Sequence, residues 1–306
     1  MLHQIIEIQE EGRYLSLDRG FLSIAHKNEH LASVPLDDIA VLLISAQSVS
    51  FSKHILNEIA ERGGISILCG KNYLPQSMVV PVSGHYLQTE TINRQIEASL
   101  PFKKNIWRQI VESKLLNQSQ ALKYANDDTI STKIKLIGKT VRSGDPDNRE
   151  AYGARLYWKA LFGDDFTRDK DGDGLNALLN YGYAIARSSM IRAICSAGLL
   201  PSLGVHHDNK LNPFCLGDDL FEPFRPIVDV TVFDLNKIGE NTINPEVKKK
   251  LAEVLWYKMK TVEGYSPLFQ SMHYMVSSFS RALINKEPCI LIPEWEGFNE
   301  KSSSSE

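Results

Sequence analysis

Nothing in this 306-residue chain offers a structural zinc site or a disulfide framework. Its four cysteines are Cys69, Cys195, Cys215 and Cys289, and no two form a CxxC pair, the spacing that such a site needs. Cysteines this widely spaced are expected to be reduced thiols, and Cys69 and Cys195, set among apolar neighbours, are expected in the core. No window of about 18 uninterrupted apolar residues occurs, so no membrane span is expected. The opening run MLHQIIEIQEEGRY carries glutamates within and just behind a short apolar stretch. It is unlike a secretory leader, and the expected location is the cytoplasm. A GxxxxGK[ST] loop is missing, so ATP-driven chemistry has no motif to rest on. There is no internal repeat. An excess of positive charge is missing too: the formal net charge is −3, which argues against a protein that wraps nucleic acid.

That charge is segregated, however. Between Glu90 and Ala160 thirteen Lys and Arg face eight Asp and Glu, which leaves the rest of the chain acidic. Hydrophobic residues make up 43% of the chain, enough for real cores, and the length suits about two domains.

The first 84 residues read as a small β domain. Residues 14–17 and 21–24 are strand-like runs joined by Asp18-Arg19-Gly20, which is hairpin chemistry with Gly20 free to take φ > 0. Residues 40–44 are a continuous apolar run that suits a buried strand. From 53 to 62 the period becomes helical, with Ile55, Leu56, Ile59 and Ala60 on one face, and Gly63-Gly64 ends that helix. Strands are expected again at 65–68 and 78–80. After a linker at 85–89 the period is helical throughout, with helices expected at 92–100, 106–116, 151–162, 175–197, 245–259 and 268–284. Pro245 suits a first helical turn. The expectation is an α+β fold: a β domain at 1–84, an all-α domain at 90–297, and a polar, disordered tail at 298–306.

Three places could carry chemistry. Asp169, Asp171, Asp173 and Gly174 imitate the start of a calcium loop, but its twelfth position is Asn180, where a bidentate Glu is needed. The loop reads better as a solvated turn that caps the following helix. Glu150 stands three residues after Asp147, as in a capping box, which is the bland reading of that carboxylate. The third place runs from Gly198 to Asp229 and holds His206, His207, Asp218, Asp219 and Glu222. Asp219 and Glu222 share a face if helical. Pro223 and Pro226 put the cluster near a helix boundary, partly open to solvent. An imidazole with two or three carboxylates suits Mg²⁺ or Mn²⁺ acting on phosphates. Two surface histidines before a solvated acidic turn would look the same.

These residues also carry a resemblance. Leu199-Leu200-Pro201-x-Leu203-Gly204-x-His206-His207, followed by Leu216-x-Asp218-Asp219-Leu220-x-Glu222-Pro223-Phe224-Arg225-Pro226, resembles the C-terminal signature of the CRISPR-associated Cas-one family. It looks closest to the branch found with Cas-nine effectors. Asn176-Ala-Leu-Leu-Asn180-Tyr-Gly-Tyr183 matches the family's long central helix, and Leu36-Asp-Asp-Ile-Ala40 and Glu61-Arg-Gly63 match its β domain. The likeness spans the chain from about Tyr14 to Ile284.

The resemblance implies a DNA integrase and endonuclease of CRISPR adaptation. Its metal triad falls on Glu150, His207 and Glu222, holding Mg²⁺ or Mn²⁺. His207 is preferred to His206 because the family histidine stands three residues after the glycine, here Gly204. Asp219 matches a further acidic position near the metal, either supporting a ligand or competing with Glu222. The implied reaction is transesterification, in which a prespacer 3′-hydroxyl attacks a phosphodiester of the repeat. Arg155, Lys159, Arg187, Lys210 and Arg225 flank the ligands in sequence and are expected phosphate contacts. Implied partners are prespacer and repeat DNA, a second copy of the chain in a homodimer, a Cas-two subunit, and Cas-nine with other adaptation subunits; no membrane is implied. The same ligands would serve a nuclease that hydrolyses branched DNA. A non-catalytic DNA-binding scaffold, with a structural acidic cluster, is the remaining alternative.

Overall fold

A computed structural model of the chain describes residues 4–70, 75–81 and 85–297. The expected tail at 298–306 and the boundary at residue 84 lie outside the described residues.

The N-terminal part holds two small sheets. One has the order β1 (Gln4–Ile8), β5 (Ile39–Ile44), β7 (Ile65–Cys69), β8 (Pro75–Val79). The other runs β4 (Glu29–Pro35), β3 (Phe21–His26), β2 (Arg13–Asp18), β6 (Val49–Phe51). Asp18 pairs with Phe21, so the β2–β3 loop is Arg19-Gly20, with φ of 46° and 87°. Both residues at positive φ match a type I′ turn, as the sequence predicts. The apolar run of β5 is buried on both faces. Leu42 and Ile44 pack with Leu15, Leu22, Ile55 and Ile59 inside the β domain, whereas Val41 and Leu43 join the core of the helical domain. One strand therefore fastens the two domains together. α1 (Lys53–Glu61) covers the first core. β4 ends its sheet with its residues mostly exposed.

The helical part comprises α2 (Gln88–Glu97), α3 (Leu100–Tyr124), α4 (Asp128–Gly138), α5 (Arg149–Phe162), α6 (Leu175–Ser196), α7 (Cys215–Phe221), α8 (Arg225–Lys237), α9 (Pro245–Glu253) and α10 (Leu268–Asn285). α2 starts inside the expected linker. α3 is capped by the Ser99 hydroxyl, which accepts from the Phe102 amide, with a proline in its first turn. It runs well past the predicted segment because its last turns bury Asn117, Gln118 and Ser119 as well as apolar residues, and polar residues hide a helical period. α4 and α8 were not expected. α4 is rich in Thr, Ser and Ile, poor helix formers alone, and is fixed by packing on α3. In α8 the predicted breaker Pro226 lies in the first turn, where no N–H is needed.

The α+β fold, a β-rich start followed by a helical domain, is as expected, and the departure from an all-α second domain is at residues 258–267. The helix begun at Pro245 stops at Glu253, and β9 (Lys258–Thr261) and β10 (Gly264–Pro267) form an antiparallel hairpin. Met259 is buried between the exposed Lys258 and Lys260, a period of two, and Gly264 takes φ 118°. Among the described residues no helix is long and apolar enough to cross a membrane, and all four cysteines are free. Cys69 and Cys195 are half-buried rather than fully in the core, and burial pushes both thiols up to about 12, which disfavours the reactive thiolate.

Candidate metal and DNA site

α3 is the spine of the site. Its buried face continues from Ile106, Trp107 and Ile110 to a lysine, Lys114. The Lys114 ammonium lies 2.5 Å from Glu150 Oε1 and 2.5 Å from Glu222 Oε2. Burial opposes its charge, but Glu222 and Glu150 outweigh that and raise its pKa. Two of the three expected ligands thus meet at one cation, which local sequence reading did not single out. A lysine on the apolar stripe of a long helix was the available signal.

Glu150 arrives on the first turn of α5, but not as part of a capping box. Asp145 provides the cap, accepting from the Arg149 and Glu150 amides at 2.8 and 3.0 Å. Asn148 takes a left-handed φ of 52° to make that turn. Asp147 instead forms a bidentate pair with Arg142. The Glu150 carboxylate is therefore released toward Lys114.

Glu222 sits on a 3-10 turn, Glu222–Phe224, between α7 and α8. Asn117 of α3 donates to the Pro223 carbonyl at 2.7 Å and pins this turn. The cluster is at a helix boundary, as expected, but it is buried rather than partly open: Asp219 is 0% and Glu222 6% exposed. Arg225 Nε lies 2.9 Å from Glu222 Oε1. Burial works against the Glu222 carboxylate, yet Arg225 and Lys114 prevail and hold it below the usual range. Each Glu222 oxygen thus faces a cation, Oε1 the Arg225 guanidinium and Oε2 the Lys114 ammonium.

Asp219 fastens the histidine loop. Its carboxylate accepts from the Val205 and His206 amides at 2.7 and 2.8 Å and from His207 Nδ1 at 2.5 Å. A Cβ at position 204 would meet the His207 carbonyl oxygen at 2.2 Å and Asp219 Oδ2 at 3.0 Å, so the loop closes only because Gly204 has none. The hydrogen bond to Asp219 raises the His207 pKa against the opposing effect of burial. With Nδ1 held, Nε2 is the nitrogen available to a ligand. His206 has turned away to stack on Trp107, rings 4.1 Å apart and 4° from parallel. Both carboxylates also act on His207 electrostatically. Still, among the described residues no three His, Cys, Asp or Glu side chains stand together as a ready-made metal cluster.

His207 and Glu222 face a cleft of about 360 Å³ whose lining includes Arg168, Lys170, Arg187 and Arg225. Of the expected phosphate contacts, Arg187 is paired with Asp218 at 3.0 Å. Arg225 is held by Glu222 and stacked over Tyr183 at 4.9 Å. Arg155, Lys159 and Lys210 are exposed, with Lys159 beside Asp164. Arg168 and Lys170 carry no sequence signal of their own, since Arg168 precedes the calcium-like loop and Lys170 lies within it. No carboxylate of that loop caps α6, whose N-cap is Gly174. Asn176 ties the loop down instead, accepting from Arg168 and from the Asp169 amide.

Behind the cleft, Asp229 is buried and accepts from Tyr157 at 2.9 Å and from Tyr183. Burial lifts its pKa to about 7, although both tyrosines pull the other way. An acid raised on folding binds protons more tightly in the native state, so stability falls as pH rises from its unfolded value near 4 toward 7. Asp229→Asn is expected to flatten that part of the dependence. Melting curves from pH 5 to 8 check this, and an unchanged slope in the variant refutes it.

Residues 6–255 match the family described as CRISPR associated protein Cas1. The chain is 36% identical over 279 residues to the CRISPR-associated endonuclease Cas1 of Neisseria meningitidis serogroup C (strain 8013), covering 90% of this chain and 91% of that one. Its fold resembles a casposase bound to integration product, with TM-score 0.80 at 19% identity, covering 99% of this chain and 96% of that one. It also resembles a chain of a Cas6-RT-Cas1–Cas2 complex, with TM-score 0.77 at 15% identity, covering 97% of this chain and 36% of that one. The site is thus set in a fold shared with these proteins along nearly its whole length, and the chain belongs to the Cas1 family.

Proposed function

We propose that the cleft is a divalent-metal site for DNA strand transfer, in which Glu150, His207 and Glu222 hold Mg²⁺ or Mn²⁺. The donors are of the kind such an ion takes: two carboxylates that share one ammonium, and one imidazole, with Nδ1 already engaged, that both carboxylates act on electrostatically. The observation that carries the reading is the convergence of Glu150 Oε1 and Glu222 Oε2 on one buried cation, each at 2.5 Å, the oxygens that a divalent ion would bond. When bound, the ion would polarise the scissile phosphate and offset charge on the attacking and leaving oxygens.

The chain's own residues have separate tasks. Asp219 fixes the tautomer and orientation of His207 and is a positioning residue rather than a rival ligand. Asn117 and Arg225 place the Glu222 carboxylate. Arg168, Lys170 and Arg187 give the cleft the positive charge that draws in a phosphodiester backbone, and Arg155, Lys159 and Lys210 extend it outward. A 3′-hydroxyl oxygen bonds to phosphorus as the repeat's own P–O bond breaks, and its proton passes to solvent. One phosphodiester replaces another, which is why no nucleotide-binding loop is required.

The partners of this reading are prespacer and repeat DNA, a second copy of the chain with the β domains near the two-fold axis, and a Cas2 subunit. The exposed edge strand β4 supports the dimer, since such edges are seldom left bare. The block from Gly198 to Pro226 supports the branch found with Cas9. Hydrolysis remains a second reading, favoured by the endonuclease name of the Neisseria relative. The test is a labelled oligonucleotide incubated with a repeat-bearing plasmid and Mn²⁺, with and without a Cas2 partner. Covalent joining to the plasmid is expected; cutting without joining establishes the hydrolytic reading.

A further inference from the structure

The site already contains a cation of its own. Lys114 Nζ touches Glu150 Oε1 and Glu222 Oε2, each at 2.5 Å, from a side chain only 9% exposed. These carboxylates are the ones read above as metal ligands, and the inference rests on that reading. A lysine ammonium is a compact point charge on a flexible four-carbon stem. Between two carboxylates it supplies the neutralisation that a divalent ion would supply, with half the charge.

A divalent ion bonds to carboxylate oxygens at roughly 2.0–2.6 Å. An ion bonded to the two oxygens that Lys114 holds would take the place of Nζ, and two cations at such range repel strongly in a buried pocket. One of them must leave. Arg225 cannot yield the space, because it is fixed on the other oxygen of Glu222 and stacked against Tyr183 and Phe221. Lys114 is the cation that lies between the two carboxylates, and it does so on a flexible four-carbon stem.

We propose that Lys114 is an internal counter-cation that keeps Glu150 and Glu222 together in the metal-free protein and withdraws when a divalent ion binds, so that it sets the metal affinity of the site. A purely structural buried ion triad would have the same geometry but would not answer to metal.

Two measurements on the full chain test this. Lys114→Met keeps the length of the stem and removes the charge. Calorimetric titration with Mn²⁺ is expected to show binding about tenfold tighter than in wild type, with a larger Mn²⁺-induced rise in melting temperature. Equal or weaker binding overturns the proposal. Because bared carboxylates could prevent this variant from folding, the second measurement uses the wild-type chain. Exposed amines are acetylated with and without Mn²⁺, and Lys114 is followed by peptide mass spectrometry. Its labelling is expected to rise severalfold with Mn²⁺ while that of Lys159 stays constant; constant labelling of Lys114 overturns the proposal. Glu222→Gln separates the two levels. If Mn²⁺ stabilises wild type and Glu222→Gln equally, or neither, the metal reading has failed and takes this inference with it. If only wild type responds while Lys114 stays protected, the inference alone has failed.

Discussion

Glu150→Gln should lower strand transfer by about 10³-fold or more while leaving DNA affinity within about threefold of wild type. The substitution preserves size and removes one carboxylate oxygen's charge from the proposed metal site. It should not unfold the chain. The start of α5 is capped by Asp145, not by Glu150, and Lys114 retains its second carboxylate on Glu222. Glu150 is also the more exposed of the two, with a side chain 26% accessible. In the proposed function the phosphate contacts fall to lysines and arginines such as those lining the cleft, so the slope of affinity against salt should not change. Joining of a labelled oligonucleotide to a repeat-bearing plasmid, filter binding at two salt concentrations and a melting curve together check this. Transfer within tenfold of wild type would return Glu150 to a structural role.

Asp219→Ala should be the most damaging single change to stability, costing about 3 kcal/mol or more. The carboxylate is 0% exposed and accepts two strong backbone hydrogen bonds and one from His207. Alanine would leave the buried Val205 amide without its partner, release the His206 amide and the His207 ring, and open a space where Gly204 and Cys215 now pack closely. His207 would lose its hold on Nδ1 and its preferred tautomer. Asp219→Asn fills the space but places an amide against donors, so it should recover only part of the stability. A chemical denaturation series on the three proteins measures this. A loss below about 1 kcal/mol for alanine would mean that the histidine loop is fixed by other contacts.

Much of the fold could be read from local pattern. The β2–β3 hairpin follows from Arg19-Gly20, the doubly buried β5 from its unbroken apolar run, and α6 and α10 from helical period. The failures have local causes too. Met259 and its lysine neighbours read equally well as the end of a helix, and only pairing with β10 made them a strand. α8 was hidden by Pro226, which a first turn accepts without loss.

The sequence by itself determined the kinds of donor present, the glycine that lets the histidine loop close, and the family. Those rest on residue identity and on spacings of a few positions, which the chain writes directly. Tertiary structure decided how the donors are used. Lys114 and Glu150 are 36 residues apart and meet only because α5 packs on α3. Sequence spacing points to Asp147 as the cap, and the left-handed turn at Asn148 gave that role to Asp145. Arg225 looks like a free phosphate contact beside Glu222, yet burial of that carboxylate demanded a partner and took it. A buried charge needs an opposite charge, and which one arrives is settled by packing between distant segments rather than by any local pattern.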